Sequence, residues 1–140
     1  MKYRILVVED NPLNQKIVSF YLVRNGYEAI IVSTGEEAVE VMAGGGADVV
    51  IMDLMLPGIS GYEAARRIRT LEKEKGTRAV IIALTANALD NDRDQCLKAG
   101  MDEYMSKPFD IRKLNDIFES LNLQYNRNDR SAGYQGQQLQ

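Results

Sequence analysis

Glu9, Asp10, Asp53, Thr85 and Lys107 are the side chains of this sequence whose types, taken together, can do chemistry. Each stands at the carboxyl end of a strand-like segment. Carboxylates gathered at one place repel unless a cation joins them, and hard oxygen ligands of this kind suit Mg2+, which takes few protein ligands and keeps several waters. With that charge screened, Asp53 can attack a phosphoryl donor and become an acyl phosphate. The Thr85 hydroxyl can donate to one phosphoryl oxygen, and Lys107 supplies a flexible point charge to another. Taken singly, each residue has a plainer reading: Asp10 or Asp53 as a helix-capping loop carboxylate, Thr85 as an ordinary strand end, Lys107 as a solvated lysine. The set outweighs those readings only if the fold brings its members together.

Five strand–helix pairs do so. Ile5 to Val8 reads as a strand, and Asn11-Pro12 places a capping side chain before a proline at the first turn of a helix reaching about Asn25. Glu28 to Val32 is a second strand. Thr34-Gly-Glu-Glu37 fits a capping box opening a short helix that stops at Gly44-Gly45-Gly46. Val49 to Met52 is a third strand, and Ser60-Gly-Tyr-Glu63 a second capping box for a helix to about Lys75, with Ile68 and Leu71 on its inner face. Ala79 to Leu84 is a fourth strand, followed by a helix over Leu89 to Ala99 with Asp90, Asp92 and Asp94 near its positive end. Glu103 to Ser106 is a weaker strand, and Asp110 caps a last helix in which Ile111, Leu114, Ile117, Phe118 and Leu121 recur at helical spacing.

Such alternation predicts an α/β, flavodoxin-like (βα)5 fold: a five-stranded parallel sheet with helices on both faces. The first, third and fourth strands are the most continuously apolar and belong in the centre; the other two take the edges, giving order 2-1-3-4-5. Ligands of open α/β sheets bind at the carboxyl ends where strand order reverses, so Asp10 and Asp53 are expected to meet there. Residues 1–123 read as one domain. Residues 124–140 are polar, rich in Gln and Asn and without apolar period, and are expected to be a disordered tail or linker.

Composition narrows the function. The 140 residues carry 17 Lys plus Arg against 20 Asp plus Glu, a net charge of -3, which leaves no global field to hold nucleic acid or an anionic membrane. No histidine is present, which removes Ser-His-Asp and Cys-His catalysis, histidine-ligated zinc and self-phosphorylation on histidine. Cys96 is the single cysteine and reads as a semi-buried helix residue; it cannot form an intrachain disulfide. No apolar run is long enough for a bilayer, and no signal-peptide pattern precedes the first strand, so a cytoplasmic location is expected. The triple glycine lacks phosphate-loop and dinucleotide spacing and reads as a loop; Gly58 and Gly61 are expected to shape the turn near Asp53.

Val7-Val-Glu-Asp10, Met52-Asp53-Leu-Met-Leu-Pro57, Leu84-Thr85-Ala86 and Lys107-Pro108, in this order and spacing, make the chain from about Tyr3 to Leu121 resemble a response regulator receiver domain of two-component systems. The resemblance implies that Asp53 is the phosphoacceptor, and that Glu9, Asp10, Asp53 and the backbone carbonyl of Met55 hold Mg2+. It implies that Thr85 and Tyr104 form the switch, and that the Lys107-Pro108 bond is cis. Output through the fourth helix, fifth strand and fifth helix (the α4-β5-α5 face) to a downstream protein is also implied. Many members carry aspartate where this chain has Glu9, whose longer side chain then reaches the metal through water. Met55 and Asn87 are where the resemblance places the tuning of phosphate lifetime. Asp10-Asn-Pro-Leu-Asn14, Thr85-Ala-Asn-Ala88 and Ala99-Gly-Met-Asp102 look most like receivers of hybrid sensor kinases or phosphorelays, which implies a histidine kinase or histidine phosphotransfer protein as donor. The domain is then a phosphoacceptor that assists its own phosphorylation and dephosphorylation rather than an enzyme acting on a separate substrate.

Two rival classes fit less well. An aspartate-nucleophile phosphohydrolase usually carries a second aspartate where this chain has Met55, and a flavin module needs a hydroxyl- and glycine-rich loop where Glu9-Asp10-Asn11-Pro12 would repel a phosphate. Met1 lying close to the first strand favours a free-standing regulator, whereas the hybrid-kinase character of the motifs favours a receiver module excised from a longer protein.

Overall fold

Strands form where Val, Ile and Leu run without interruption, and helices where a capping side chain meets the first free amides. The computed structural model describes residues 3–86 and 90–130. Within them lie β1 (Arg4–Val8), α1 (Pro12–Arg24), β2 (Glu28–Val32), α2 (Gly35–Ala43) and β3 (Val49–Asp53). These are followed by α3 (Gly61–Lys75), β4 (Val80–Thr85), α4 (Asp90–Lys98), β5 (Glu103–Ser106) and α5 (Ile111–Arg130). The five strands are all parallel in order β2-β1-β3-β4-β5, as expected. Met1, Ala88, Leu89 and residues 131–140 of the expected tail lie outside the described residues, as does Asn87.

The caps behave largely as their sequences dictate. Asn11 Oδ1 accepts from the amides of Leu13 and Asn14 at 2.9 and 3.0 Å, and the Thr34–Glu37 box closes in both directions. At α3 only half of the expected box forms. Ser60 Oγ accepts from the Glu63 amide at 3.1 Å, but the Glu63 carboxylate turns along the helix to Arg66 and Arg67. Cations one turn away outcompete a neutral amide for that carboxylate.

Compact packing divides the chain into two units, Met1–Phe109 and Asp110–Gln140. In the first, Leu6, Val8, Val50, Met52, Ile81 and Ala83 point to one face of the sheet. They pack there with Ala38 and Met42 of α2, Ala64, Ala65 and Ile68 of α3, and Cys96 and Ala99 from the α4 region. The alternate residues Ile5, Val7, Val49, Ile51, Ile82 and Leu84 are just as buried on the opposite face, where α1 lies along β1 and β2 with Val18 and Leu22 buried. Burial on both faces explains why the central strands do not alternate polar and apolar residues. In the second unit Asp110 caps α5 through the Arg112 amide at 2.9 Å, and Leu114 and Phe118 are buried one turn apart.

One expectation is corrected here. The inner edge of α3 is marked by Ile68 and Glu72 rather than by Leu71: Glu72 is 7% exposed and Leu71 half-buried. Its carboxylate is satisfied by the Ala79 amide at 2.6 Å and by Arg69 at 2.5 Å, while Arg69 also reaches the Gly100 and Ala79 carbonyls and Asp102. Asp102 in turn accepts from the Ile81 amide at 2.9 Å and pairs with Arg78. Buried charges persist only when paired and hydrogen-bonded in this way, and this network fixes the amino ends of β4 and β5. In the second unit α5 runs on past residue 123 to Arg130. The helix continues through the polar residues 124–130, because extending an established helix costs far less than starting one.

The glycines beside Asp53 have separate reasons. Gly58 has φ +77°, a left-handed conformation that side chains resist. Gly61 has no such φ, but a Cβ there would lie 2.5 Å from the Asp53 carbonyl oxygen and 3.0 Å from Leu54 Cα. The first turn of α3 is thereby pressed against the backbone that carries Asp53. Gly61→Ala is expected to cost about 2 kcal/mol through overpacking, read as a lower midpoint in urea unfolding; an unchanged midpoint would reject the close-approach argument.

Candidate functional site

Register decides which polar residues meet. Val8 pairs with Met52 across β1 and β3, so Glu9, the next residue, reaches the level of Asp53, and Asp10 stands one step further out. Asp53 pairs with Leu84, placing Thr85 one residue above it on β4, and Thr85 pairs with Ser106, which leaves Lys107 just past the end of β5. The Lys107 amide donates to the Thr85 carbonyl at 2.7 Å, and the Lys107-Pro108 bond is cis. All five expected residues therefore share one rim.

Among the described residues the geometry is that of a crowded acidic site with a single cation. One carboxylate oxygen each from Glu9, Asp10 and Asp53 lie within 4.8 Å of one another. Glu9 is 2% and Asp53 3% exposed, whereas Asp10 is exposed. Asp53 is held at both oxygens: the Met55 amide donates to Oδ1 at 3.0 Å and Lys107 Nζ to Oδ2 at 3.0 Å. Glu9 Oε2 accepts from the Asn11 amide at 3.0 Å. Lys107 Nζ is also 3.7 Å from Glu9 Oε1, too long for a hydrogen bond, and that buried oxygen has no hydrogen-bond partner among the described residues. Burial lowers the Lys107 pKa, but Asp53 and then Glu9 outweigh it, so the ammonium stays charged above the ordinary lysine range.

Counted formally, three carboxylates against one ammonium leave two negative charges, the charge that one divalent cation cancels. The donors fit such an ion. They are hard oxygens, one of them is an orphaned buried carboxylate oxygen, and the exposed side of Asp10 leaves room for waters. Met55, two residues beyond Asp53, is 81% exposed. Tyr104 lies apart from the acids. It is half-buried against the core of the α2–α4 face, with the Arg93 guanidinium 5.6 Å from its ring centroid, a cation–π distance.

Residues that the sequence did not single out complete the surroundings. The Gln15 amide group donates to the Glu9 carbonyl at 2.6 Å and to Ser33 Oγ at 3.1 Å. The Glu36 carboxylate accepts from the Ile59 amide at 3.2 Å. Leu13, Ile17, Phe20, Tyr21 and Val23 make α1 the main carrier of exposed large apolar side chains among the described residues. Their signal in the sequence was an α1 apolar around most of its circumference, more than one buried face can use. No helix among the described residues is long and apolar enough to cross a membrane.

The chain is similar to known proteins over most of its length. The chain is 40% identical over 123 residues to hybrid signal transduction histidine kinase B of Dictyostelium discoideum, a match covering 81% of this chain and 6% of that protein. It is 42% identical to a solved receiver domain of a sensor histidine kinase of Pseudomonas aeruginosa PAO1, which has magnesium coordinated in its active site cleft. The TM-score is 0.76, with 86% of this chain and 97% of that one covered. The receiver domain of Saccharomyces cerevisiae Ssk1, solved with the histidine phosphotransfer protein Ypd1, is 36% identical with a TM-score of 0.76, covering 81% of this chain and 84% of that one. The chain spans only 8%, 6% and 13% of three of its curated relatives, so it corresponds to one module of those proteins. Since the response regulator receiver domain profile matches residues 5–119, and the five-stranded parallel fold agrees with it, the chain belongs to the response regulator receiver domain family.

Proposed function

We propose that this chain is a phosphorelay switch that takes a phosphoryl group onto Asp53 from the phosphohistidine of a histidine kinase or histidine phosphotransfer protein. The observation that carries this reading is Asp53 itself: a buried carboxylate with both oxygens oriented, beside two further acids and a lysine. Glu9, Asp10, Asp53 and the Met55 carbonyl are the groups to hold Mg2+, which supplies charge neutralisation for the acids and for the transferring phosphoryl group. The solved Pseudomonas relative, with magnesium in its cleft, supports that choice of ion.

In the transfer, an Asp53 carboxylate oxygen forms a bond to phosphorus as the bond from phosphorus to the imidazole nitrogen breaks, and the electron pair of that bond stays on the imidazole. The Met55 amide keeps the attacking group in orientation. Lys107 moves its charge from Asp53 Oδ2 to a phosphoryl oxygen, and the Thr85 hydroxyl donates to another. These same residues, which stabilise charge on phosphorus in either direction, let the domain assist its own phosphorylation and the later hydrolysis of the acyl phosphate.

Two surfaces serve partners in this reading. The apolar stripe of α1 starts beside Asp10 and is the face a donor's helix covers while bringing its histidine over the rim. On the other side, Tyr104 answers the movement of Thr85 and alters the surface of α4 and β5 that a downstream protein reads.

Acetyl phosphate with Mg2+ is expected to add one phosphate to the protein in intact-mass spectra, and Asp53→Asn to abolish it; full-yield labelling of that variant would reject Asp53 as acceptor. Two further variants separate the surfaces. Phe20→Ala should slow transfer from a phosphorylated histidine phosphotransfer protein by about tenfold, the scale of one apolar interface anchor, with acetyl phosphate labelling unchanged. Tyr104→Ala should be labelled normally yet lose the phosphorylation-dependent change in amide exchange over α4 and β5. Unchanged transfer in the first, or an unchanged exchange response in the second, removes the corresponding surface from the proposal.

A further inference from the structure

The turn between β2 and α2 contributes no group to the acidic cluster, yet both backbone segments proposed to supply ligands are tied to it. On one side Gln15 reaches from α1 and donates through a single amide nitrogen to the Glu9 carbonyl and to Ser33 Oγ, joining the β1–α1 turn to the β2–α2 turn. On the other, Glu36 in the first turn of α2 accepts the Ile59 amide across 23 residues of chain. Its carboxylate also fills the space over Gly58: a Cβ on Gly58 would stand 2.7 and 2.8 Å from the two Glu36 oxygens. Gly58 and Ile59 lie three and four residues beyond Met55, in the loop that bears the Met55 carbonyl. Gly35 adds an apolar contact to the same junction, since its Cβ position lies 2.8 Å from the Ile59 side chain.

The turn is itself rigid. The Glu37 carboxylate accepts from the amides of Ser33 and Thr34 at 2.8 and 3.2 Å, and Thr34 Oγ1 accepts from the Glu37 amide at 3.1 Å. A turn closed in both directions makes a fixed point, and two side chains radiate from it to the loops on either side.

We infer that Gln15 and Glu36 are positioning residues for cation binding, Gln15 holding the acidic turn and Glu36 holding the loop that carries Met55, with the β2–α2 turn as their common anchor. The inference rests on the reading of the acidic rim as a divalent cation site. Neither side chain touches the ion; each fixes a backbone whose donors must converge, and such outer partners commonly change metal affinity by an order of magnitude or more. Mg2+ keeps a near-ideal octahedron and tolerates displaced ligands poorly, so looseness in either loop is felt as lost affinity.

The test is calorimetric titration of Mg2+ into the full chain and into Gln15→Leu, Glu36→Ala and Glu36→Gln, with thermal melts in chelator and amide exchange at Ile59. Gln15→Leu and Glu36→Ala are expected to weaken Mg2+ about tenfold while their metal-free melting temperatures stay close to that of the unaltered chain. Glu36→Gln, whose amide oxygen can still accept from Ile59, is expected to bind within about twofold of it and to keep Ile59 protected. Wild-type affinity in both Gln15→Leu and Glu36→Ala, or a loss matched by melting of the metal-free protein, overturns the positioning role alone. A wild-type chain that takes up no Mg2+ overturns the cation site as well.

Discussion

Three carboxylates held within 4.8 Å at the edge of an apolar sheet repel one another, and the upper half of this fold can be understood as the means of holding them there. In water such a cluster would spread apart, since only modest energy opposes it. Here Glu9 and Asp53 are fixed to strand ends whose register is set by the buried faces of β1 and β3, and slipping by one residue would turn every apolar side chain to the wrong face. Burial of the sheet therefore supplies the force that keeps like charges together. Lys107 offsets part of the cost and leaves two negative charges that a dication cancels.

The opposite end of the sheet carries a different solution to a similar problem. Arg69, Glu72 and Asp102 are also largely buried, but they close on themselves, with each carboxylate matched by guanidinium or amide donors. That network is satisfied and has no oxygen left over. Around Asp53, among the described residues, one buried oxygen of Glu9 lacks a hydrogen bond, and the one cation is shared between two acids. The contrast separates a structural cluster from one arranged to receive something: stability favours complete pairing, and binding sites keep incomplete pairing where a ligand will finish it.

Legibility in the sequence followed the range of the interactions. Strands β2 and β5 were readable to the residue and the sheet order from apolar content alone, because burial acts on composition directly. Asn11, Thr34 and Asp110 were legible as caps, since a cap needs only local spacing. The meeting of Glu9, Asp10, Asp53 and Lys107 followed once the strand ends were aligned. What escaped was set by side chains reaching across elements. Glu72 looks like a surface glutamate until Ala79 and Arg69 are seen beside it, Glu63 chose arginines over its own cap, and Gln15 and Glu36 show no periodicity that marks their partners. The helical continuation over 124–130 escaped for another reason: helix propagation asks for no apolar face, and the polar composition there concealed it.

The two kinds of tether at the site have different mechanical characters, and a switch needs both. Asp53 Oδ1 and Glu9 Oε2 are held by backbone amides, of Met55 and Asn11, which cannot retreat without unfolding their turns. Lys107 approaches by a four-carbon stem, its side chain 27% exposed, and it spans Asp53 and Glu9 at 3.0 and 3.7 Å. A flexible ammonium shared between two partners can follow a charge that moves outward from Asp53 by the length of a phosphoryl group, whereas a guanidinium locked in a bidentate fork could not do so as freely. In the proposed transfer the acids define where the reaction occurs, and the lysine is the part free to register that it has occurred. Because its amide is bonded to the Thr85 carbonyl, any such movement begins next to the hydroxyl that also faces the phosphoryl group in the proposed transfer.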